Sequence, residues 1–277
     1  MCALAWAGDP RVKRRTQSSI AVSLGDAPVV LVNATPDVGE QIRATPRLWP
    51  AQGLRHSPIA AVVLTSGEVD HTAGLLTLRE RQPFSLVALP PVHAALLESR
   101  IFDVLGADMV PRVAAAPAAP MDIVPSLSIE LFPVPGKVPL FLEDDQMPEI
   151  GGETGETAGL KAMADGRSLV YVPGCAHLTA PLLERLGEAD VVLFDGTLYS
   201  DDEMIAAGLG TKTGGRMGHL PIAGEIGSLA ALAALPGRKI YIHINNTNPV
   251  LIEGSPERLA VERAGVEIAF DGMEIVL

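Results

Sequence analysis

The chain has only two cysteines, Cys2 and Cys175, among 277 residues. That excludes a disulfide framework and suits a reducing compartment. Aromatic residues make up 4%, too few to build stacking platforms for nucleic-acid bases. Basic residues are the minority, 21 against 33 acidic, and the net charge of −12 repels a polyanion. No apolar run approaches the roughly 18 residues that a spanning helix needs, so membrane insertion is not expected. The short apolar piece at the start precedes the basic cluster at residues 11–15, whereas a secretory signal has the opposite order. A cytoplasmic protein is expected. Internal repeats and shifts of composition are also lacking, which predicts one domain over residues 1–277.

What is present is a 48% apolar, 19% charged chain, rich in glycine (27) and proline (23), with enough length for a sizeable core. Short Val/Ile-rich runs predict buried strands at 20–23, 29–33, 60–65, 86–89, 128–134, 169–172, 191–195, 239–245 and 266–270. Helix-like stretches at 74–81, 91–97, 180–187, 201–208, 225–235 and 256–265 alternate with them, the pattern of an α/β protein. The Ala/Pro segment 114–120 reads as an exposed connector. The acidic, glycine-rich stretch 143–159 is long for a structureless loop and reads as a functional lid.

Polar residues collect immediately after three of the strands: Ser66-Gly67-Glu68-Val69-Asp70-His71, then Asp195-Gly196-Thr197, then His243 through Pro249. In open α/β sheets ligands bind at the carboxyl ends of strands. Two imidazoles and two carboxylates brought to one point would be a metal-ligand inventory. Taken singly, each has a structural explanation. Asp70 could cap a helix, His71 could be a buried hydrogen-bonded histidine, and Asp195 could close a tight turn. The amides of 245–249 could satisfy loop backbone. Their joint occurrence weakens those explanations. His219, after the Gly/Thr-rich loop 210–215, reads equally as a general acid–base or as an exposed loop histidine. His56, His93 and His177 read as surface residues, and Cys175 as small buried filler more than a cavity residue.

The segment 65–71 resembles the signature loop of the metallo-β-lactamase superfamily, His-x-His-x-Asp-His, with Ser66 and Glu68 in place of its first two histidines. Asp195 is similar to the bridging aspartate of that superfamily, His243 to its last ligand histidine, and Lys137 stands where a Pro-Gly-His histidine is usual. The resemblance therefore implies a four-layer αββα sandwich with one metal position, held by Asp70, His71, His243 and Asp195. More closely, residues 15–22, 33–37, 69–80, 217–219, 243–251 and 271–273 resemble the pyrroloquinoline quinone (PQQ) biosynthesis protein B family over nearly the whole chain. Members of that family begin with a strand and a Cys-x-Cys-x-x-Cys cluster similar to a structural zinc site. Only Cys2 matches it, as a remnant, so the comparison implies that the first strand and this zinc site are missing.

The resemblance implies a part in PQQ synthesis: an iron-dependent hydroxylase acting on the tyrosine ring of a Glu-Tyr-derived precursor with O₂. Two histidines and one or two carboxylates with open positions suit Fe(II) oxygen chemistry better than dinuclear zinc hydrolysis, so Fe(II) is favoured over Zn. In this reading His219 and Asp195 are the catalytic residues, with His219 moving a proton or orienting the phenol. Lys137, Arg216, Arg15, Ser66, Glu68 and Asn245 bind substrate, the basic ones (with Arg14) through its carboxylates. Other PQQ-synthesis proteins and a second copy of the chain are further expected partners. Two alternatives stay open, a zinc hydrolase of the same fold and a carrier that helps deliver PQQ or its precursor to the periplasm.

Overall fold

The computed structural model describes residues 1–53, 56–143 and 150–277. Its strands are β1 (Ile20–Val22), β2 (Val29–Val32), β3 (Ile59–Val63), β4 (Ser85–Ala88), β5 (Arg112–Ala114), β6 (Met121–Val124), β7 (Leu127–Pro133), β8 (Ala158–Ala164), β9 (Arg167–Val172), β10 (Val191–Asp195), β11 (Arg238–Ile242) and β12 (Val266–Ile268). They form a five-stranded sheet in the order β1-β2-β3-β4-β5 and a seven-stranded sheet in the order β12-β11-β10-β9-β8-β7-β6. Strands β2 to β5 are parallel, as are β9 to β12, while β1 and β6 to β8 add antiparallel edges.

Alternation along the strands explains the layering. In β2, Val30 and Val32 enter a core shared by the two sheets, whereas Val29 and Leu31 face a second core. In β10, Val191 and Leu193 enter the shared core and Val192 and Phe194 a third. The second core is completed by Val92 and Leu96 of the helix Pro90–Leu97, the third by Leu182 and Leu186 of the helix Ala180–Gly187 and Val261 of the helix Pro256–Arg263. Helices therefore cover both outer faces. Strands buried on both faces need apolar residues at every position, hence the unbroken runs in the sequence. Thr179 and Ser255 cap two of these helices, accepting from Leu182 and Arg258 backbone N–H groups, with proline near the first position of each.

Several expectations need correcting. Strands β5, β6 and β8 were not legible, and the predicted helix at 74–81 is only a short α-turn, Val69–Thr72, followed by a 3₁₀ turn, Ala73–Leu76. The helices in 201–208 and 225–235 shrink to Glu203–Ala206 and Leu229–Ala233. His93 is buried, its Nε2 bonded to the Val113 carbonyl at 3.0 Å, because its helix packs on β5. The 114–120 segment does connect, crossing from β5 in one sheet to β6 in the other. Of the expected lid, residues 144–149 lie outside the described residues, while Gly152 and Thr157 make isolated bridges to Gly136 and Ser66. Cys2 is exposed in a short helix, Cys2–Trp6. Among the described residues no helix is long and apolar enough to cross a membrane.

Candidate metal centre

The carboxyl ends of β2, β3, β10 and β11 lie side by side, and the residues that follow them share one end of the sandwich. After β3, the chain runs through Thr65 and Ser66 into the turn that carries Asp70 and His71. Asp70 does not cap that turn, since no side chain does. Its Oδ2 lies instead 3.1 Å from His243 Nε2 and 3.9 Å from His71 Nε2. Asp70, His71 and His243 each offer a ligand atom within 4.8 Å of the others, and Asp195, His219 and His243 form an overlapping group of the same kind. The three strand ends singled out in the sequence thus converge.

The orientation of each ring is fixed from behind. His71 is 5% exposed, and its Nδ1 is 2.7 Å from Ser66 Oγ. Asn33, with φ 62°, supports Thr65 by accepting from its backbone N–H at 3.0 Å; asparagine tolerates that left-handed backbone. His71 Nε2 is buried with no hydrogen-bond partner among the described residues. Such an atom is rare unless something absent completes it. Burial pushes the His71 pKa down to about 4, which keeps the ring neutral, the form that binds a cation.

Thr197 organises the other side. Its hydroxyl is 2.6 Å from Asp195 Oδ1 and 2.9 Å from the His243 carbonyl, and its one proton serves these acceptors. The ring nitrogens that approach it, Nδ1 of His243 at 2.8 Å and of His219 at 3.1 Å, must then donate. His243 Nε2 and Asp70 Oδ2 are consequently two acceptors facing each other, which requires a proton or a cation between them. In the metal-free chain it is a proton. Burial disfavours the charged ring of His243, but the Asp70 carboxylate outweighs it and raises the pKa. Burial likewise opposes ionisation of Asp70, and the hydrogen bond from His243 overrides it to hold the carboxyl below its ordinary range. His243 has φ 58°, a strained conformation for a non-glycine residue, held here by Thr197. Asp195 is fully buried, and its Oδ2 accepts from His219 Nδ1 at 2.8 Å and from the Cys175 backbone at 3.1 Å.

Asp70, His71, Thr197 and His243 line one wall of a cavity of about 310 Å³. Ser66, Asn245, Met204 and His219 also line it, and Lys137, Glu68, Glu143 and Lys212 make a charged wall. His219 is therefore not an exposed loop histidine. Lys137 Nζ donates to Glu68 at 2.9 Å, and Arg216 Nη2 lies 3.6 Å from Glu143. Asn245 donates to Thr247 at 2.6 Å, and Asn248 satisfies loop backbone, as the structural explanation for 245–249 had it. Arg15 lies elsewhere, its guanidinium donating to the Ala269 carbonyl, and Arg14 covers the Trp6 ring. Cys175 is filler in the third core. Cys2 belongs to no group of metal-binding side chains among the described residues. Thr197, Glu143 and Lys212 were missed in the sequence. A threonine two places after a strand-terminal aspartate is a recognisable signal; Glu143 and Lys212 gave none.

Residues 29–244 match the β-lactamase superfamily domain. The chain is 56% identical over 278 residues to coenzyme PQQ synthesis protein B of Methylorubrum populi, covering 100% of this chain and 93% of the relative. It is also similar to the crystal structure of Zn(2+)-bound PqqB from Methylobacterium extorquens, at 55% identity and TM-score 0.97, over 100% of this chain and 92% of that one. A diphosphatase from the PhnP family, 19% identical with TM-score 0.67 over 100% of this chain and 90% of its own, shares the fold.

Proposed function

The chain belongs to the coenzyme PQQ synthesis protein B family, with the metallo-β-lactamase fold, and from that premise we propose that it is a mononuclear Fe(II)-dependent hydroxylase of the tyrosine ring in a Glu-Tyr-derived PQQ precursor. The observation that carries the reading is the convergence of Asp70, His71 and His243, with His71 Nε2 buried and unpartnered. The donor set fits the metal, since two imidazoles and one carboxylate with open positions are the set that non-haem Fe(II) oxygenases use. When bound, iron would supply the redox chemistry that lets O₂ react with a phenol.

The chain's own residues do the rest. Asp70, His71 and His243 present their donors on one side and leave the cavity side to substrate. Asp195 acts as a fourth ligand, or as the partner that orients His219 through Nδ1, leaving the other ring nitrogen to move a proton or hold the phenol. Thr197 sets the tautomers of both rings, and hydrogen-bonded partners of this kind are worth roughly 10- to 100-fold in metal affinity or activity. Lys137 and Arg216 receive substrate carboxylates, and Ser66, Glu68 and Asn245 shape the cavity. In the overall reaction one oxygen atom of O₂ enters a ring carbon–hydrogen bond. The other leaves as water, with two electrons and two protons drawn from an external reductant.

The test is anaerobic loading with Fe(II), then exposure to O₂, a chemical reductant and Glu-Tyr, with mass spectrometry of the product. A dipeptide one oxygen atom heavier is expected, and Glu-Tyr recovered unchanged from fully loaded protein would refute the reading. Zinc-dependent hydrolysis is a second reading, favoured by the Zn(2+)-bound relative. It predicts a cleaved product, formed with zinc and without O₂.

Loading should depend on pH in a defined direction. The proton between His243 and Asp70 must leave before a cation can bind there, and the raised pKa of His243, set by the Asp70 carboxylate against the cost of burial, holds it to higher pH than an ordinary histidine would. Apparent metal affinity is therefore expected to rise as pH increases through that pKa and then level off. Calorimetry in buffers of different ionisation enthalpy should show a proton released below the plateau. No release at any pH would mean that the cation does not displace this proton.

A further inference from the structure

The charged wall of the cavity contains two cations, Lys137 and Lys212, and two carboxylates, Glu68 and Glu143, and Arg216 stands beside Glu143. Glu68 is fixed: it accepts from Lys137 Nζ at 2.9 Å and from the Leu140 backbone N–H at 3.2 Å. The Glu143 side chain, among the described residues, meets cations only. Its Oε1 lies 2.8 Å from Lys137 Nζ but has no aligned hydrogen bond and is buried. Its Oε2 accepts from Lys212 Nζ at 3.3 Å and stands 3.6 Å from Arg216 Nη2, too far for a hydrogen bond. Arg216 Nη1 is buried without a partner among the described residues. Three cations thus converge on one carboxylate, and Arg216 Nη1 is left over as a donor beside it.

The positions of the cations are not accidental. Lys137 is 10% exposed, and its stem crosses Gly218, whose φ of 84° and missing side chain leave it room. Lys212, Arg216 and Gly218 come from the same Gly/Thr-rich loop that delivers His219 to the metal-side wall. One loop thus serves both ends of the cavity.

We infer that Lys137, Lys212 and Arg216 form a carboxylate-binding subsite that the chain fills with its own Glu143, and that a substrate carboxylate enters by displacing it. This rests on the reading of the cavity as the substrate site and specifies its ligand: an organic acid with its carboxylate at this wall and its reacting end at Asp70, His71 and His243. Glu143 acts as an internal competitor. The affinity of an acidic substrate is lowered by the fraction of time the subsite is self-occupied, and a neutral analogue gains nothing from the site.

The experiment is calorimetric binding of Glu-Tyr, and of its uncharged counterpart N-acetyl-Gln-Tyr-amide, to the metal-loaded chain, to Glu143→Gln and to Lys212→Met. Glu143→Gln keeps the shape and removes the competing charge, so Glu-Tyr should bind about tenfold tighter if the subsite is self-occupied nine-tenths of the time. Lys212→Met, at a side chain 41% exposed and so without consequence for folding, should bind Glu-Tyr about tenfold more weakly, the size of one hydrogen bond to a charged group. N-acetyl-Gln-Tyr-amide should respond to neither change. Unchanged or weaker binding of Glu-Tyr to Glu143→Gln, or an equal gain for the amide, overturns the inference. Binding that follows the expected pattern in a chain that yields no hydroxylated product would leave the subsite standing and remove the hydroxylase reading alone.

Discussion

Replacing His71 by alanine is expected to strip the chain of bound metal and to abolish hydroxylation while the fold persists. Among the described residues the ring supplies the one buried, unpartnered nitrogen of the Asp70–His71–His243 group, and the neighbouring His219 belongs to the overlapping Asp195–His219–His243 group and not to this one. Asp70 would be left facing His243 across the 3.1 Å contact with a proton between them, the metal-free arrangement. Loss of a supporting hydrogen bond behind a ligand costs roughly 10- to 100-fold in affinity, and loss of the ligand itself must exceed that. The measurements are metal content by mass spectrometry after loading and turnover with Glu-Tyr. His93→Ala is the control, because His93 is also a buried histidine, bonded through Nε2 to the Val113 carbonyl and remote from the cavity lining. It should lower stability and leave metal content unchanged. Normal turnover by His71→Ala would show that the ligand assignment is wrong.

The contrast between those two histidines also shows what the sequence could carry. His71 was legible because it follows a strand and an aspartate; His93 was misread as a surface residue because its burial depends on how the helix Pro90–Leu97 meets β5. The same division runs through the fold. Strand β10 stood out with its true bounds, since Val191 to Phe194 are apolar at every position to serve two cores. Strand β8, Ala-Gly-Leu-Lys-Ala-Met-Ala, has little intrinsic preference for extended structure. It is a strand because β7 and β9 pair with it on both sides, and Gly159 is required there because a side chain would overlap the Phe132 ring. The ligand group was legible for a related reason: each member lies on the segment that leaves the carboxyl end of a parallel strand, and parallel strands bring those ends together. Glu143 and Lys212 do not end strands. Their meeting depends on two loops whose course no local pattern specifies, and Arg15, expected at the site, is carried instead to the Ala269 carbonyl.

Gly74→Ala is expected to be the most damaging small substitution near the site, although Gly74 touches no ligand. The turn that carries Asp70 and His71 is tied to the end of β2 by two backbone hydrogen bonds: Ala34 N–H to the His71 carbonyl and Gly74 N–H to the Ala34 carbonyl, both 2.8 Å. A Cβ on Gly74 would overlap the Thr35 carbonyl oxygen and lie 2.8 Å from the Ala34 carbonyl carbon and oxygen. All of these are backbone atoms, so no side chain can swing aside. Either the turn lifts from the strand and both hydrogen bonds lengthen, or β2 shifts within two packed cores. Overpacking costs about 1–3 kcal/mol where side chains can adjust, and a backbone clash belongs at or above the upper end. For a chain of this size that corresponds to a fall in melting temperature of roughly 6 to 12 °C. Gly210→Ala is the matched control, with open space around its Cβ and no positive φ, and it should melt with the parent chain. Because the displaced turn holds two of the three donors, the metal-free and metal-loaded forms should diverge. Metal should raise the melting temperature of the parent chain more than that of Gly74→Ala, since binding stabilises only a native state that can close around the ion. Equal stabilisation of both would mean that the contact with β2 supports the fold without positioning Asp70 and His71.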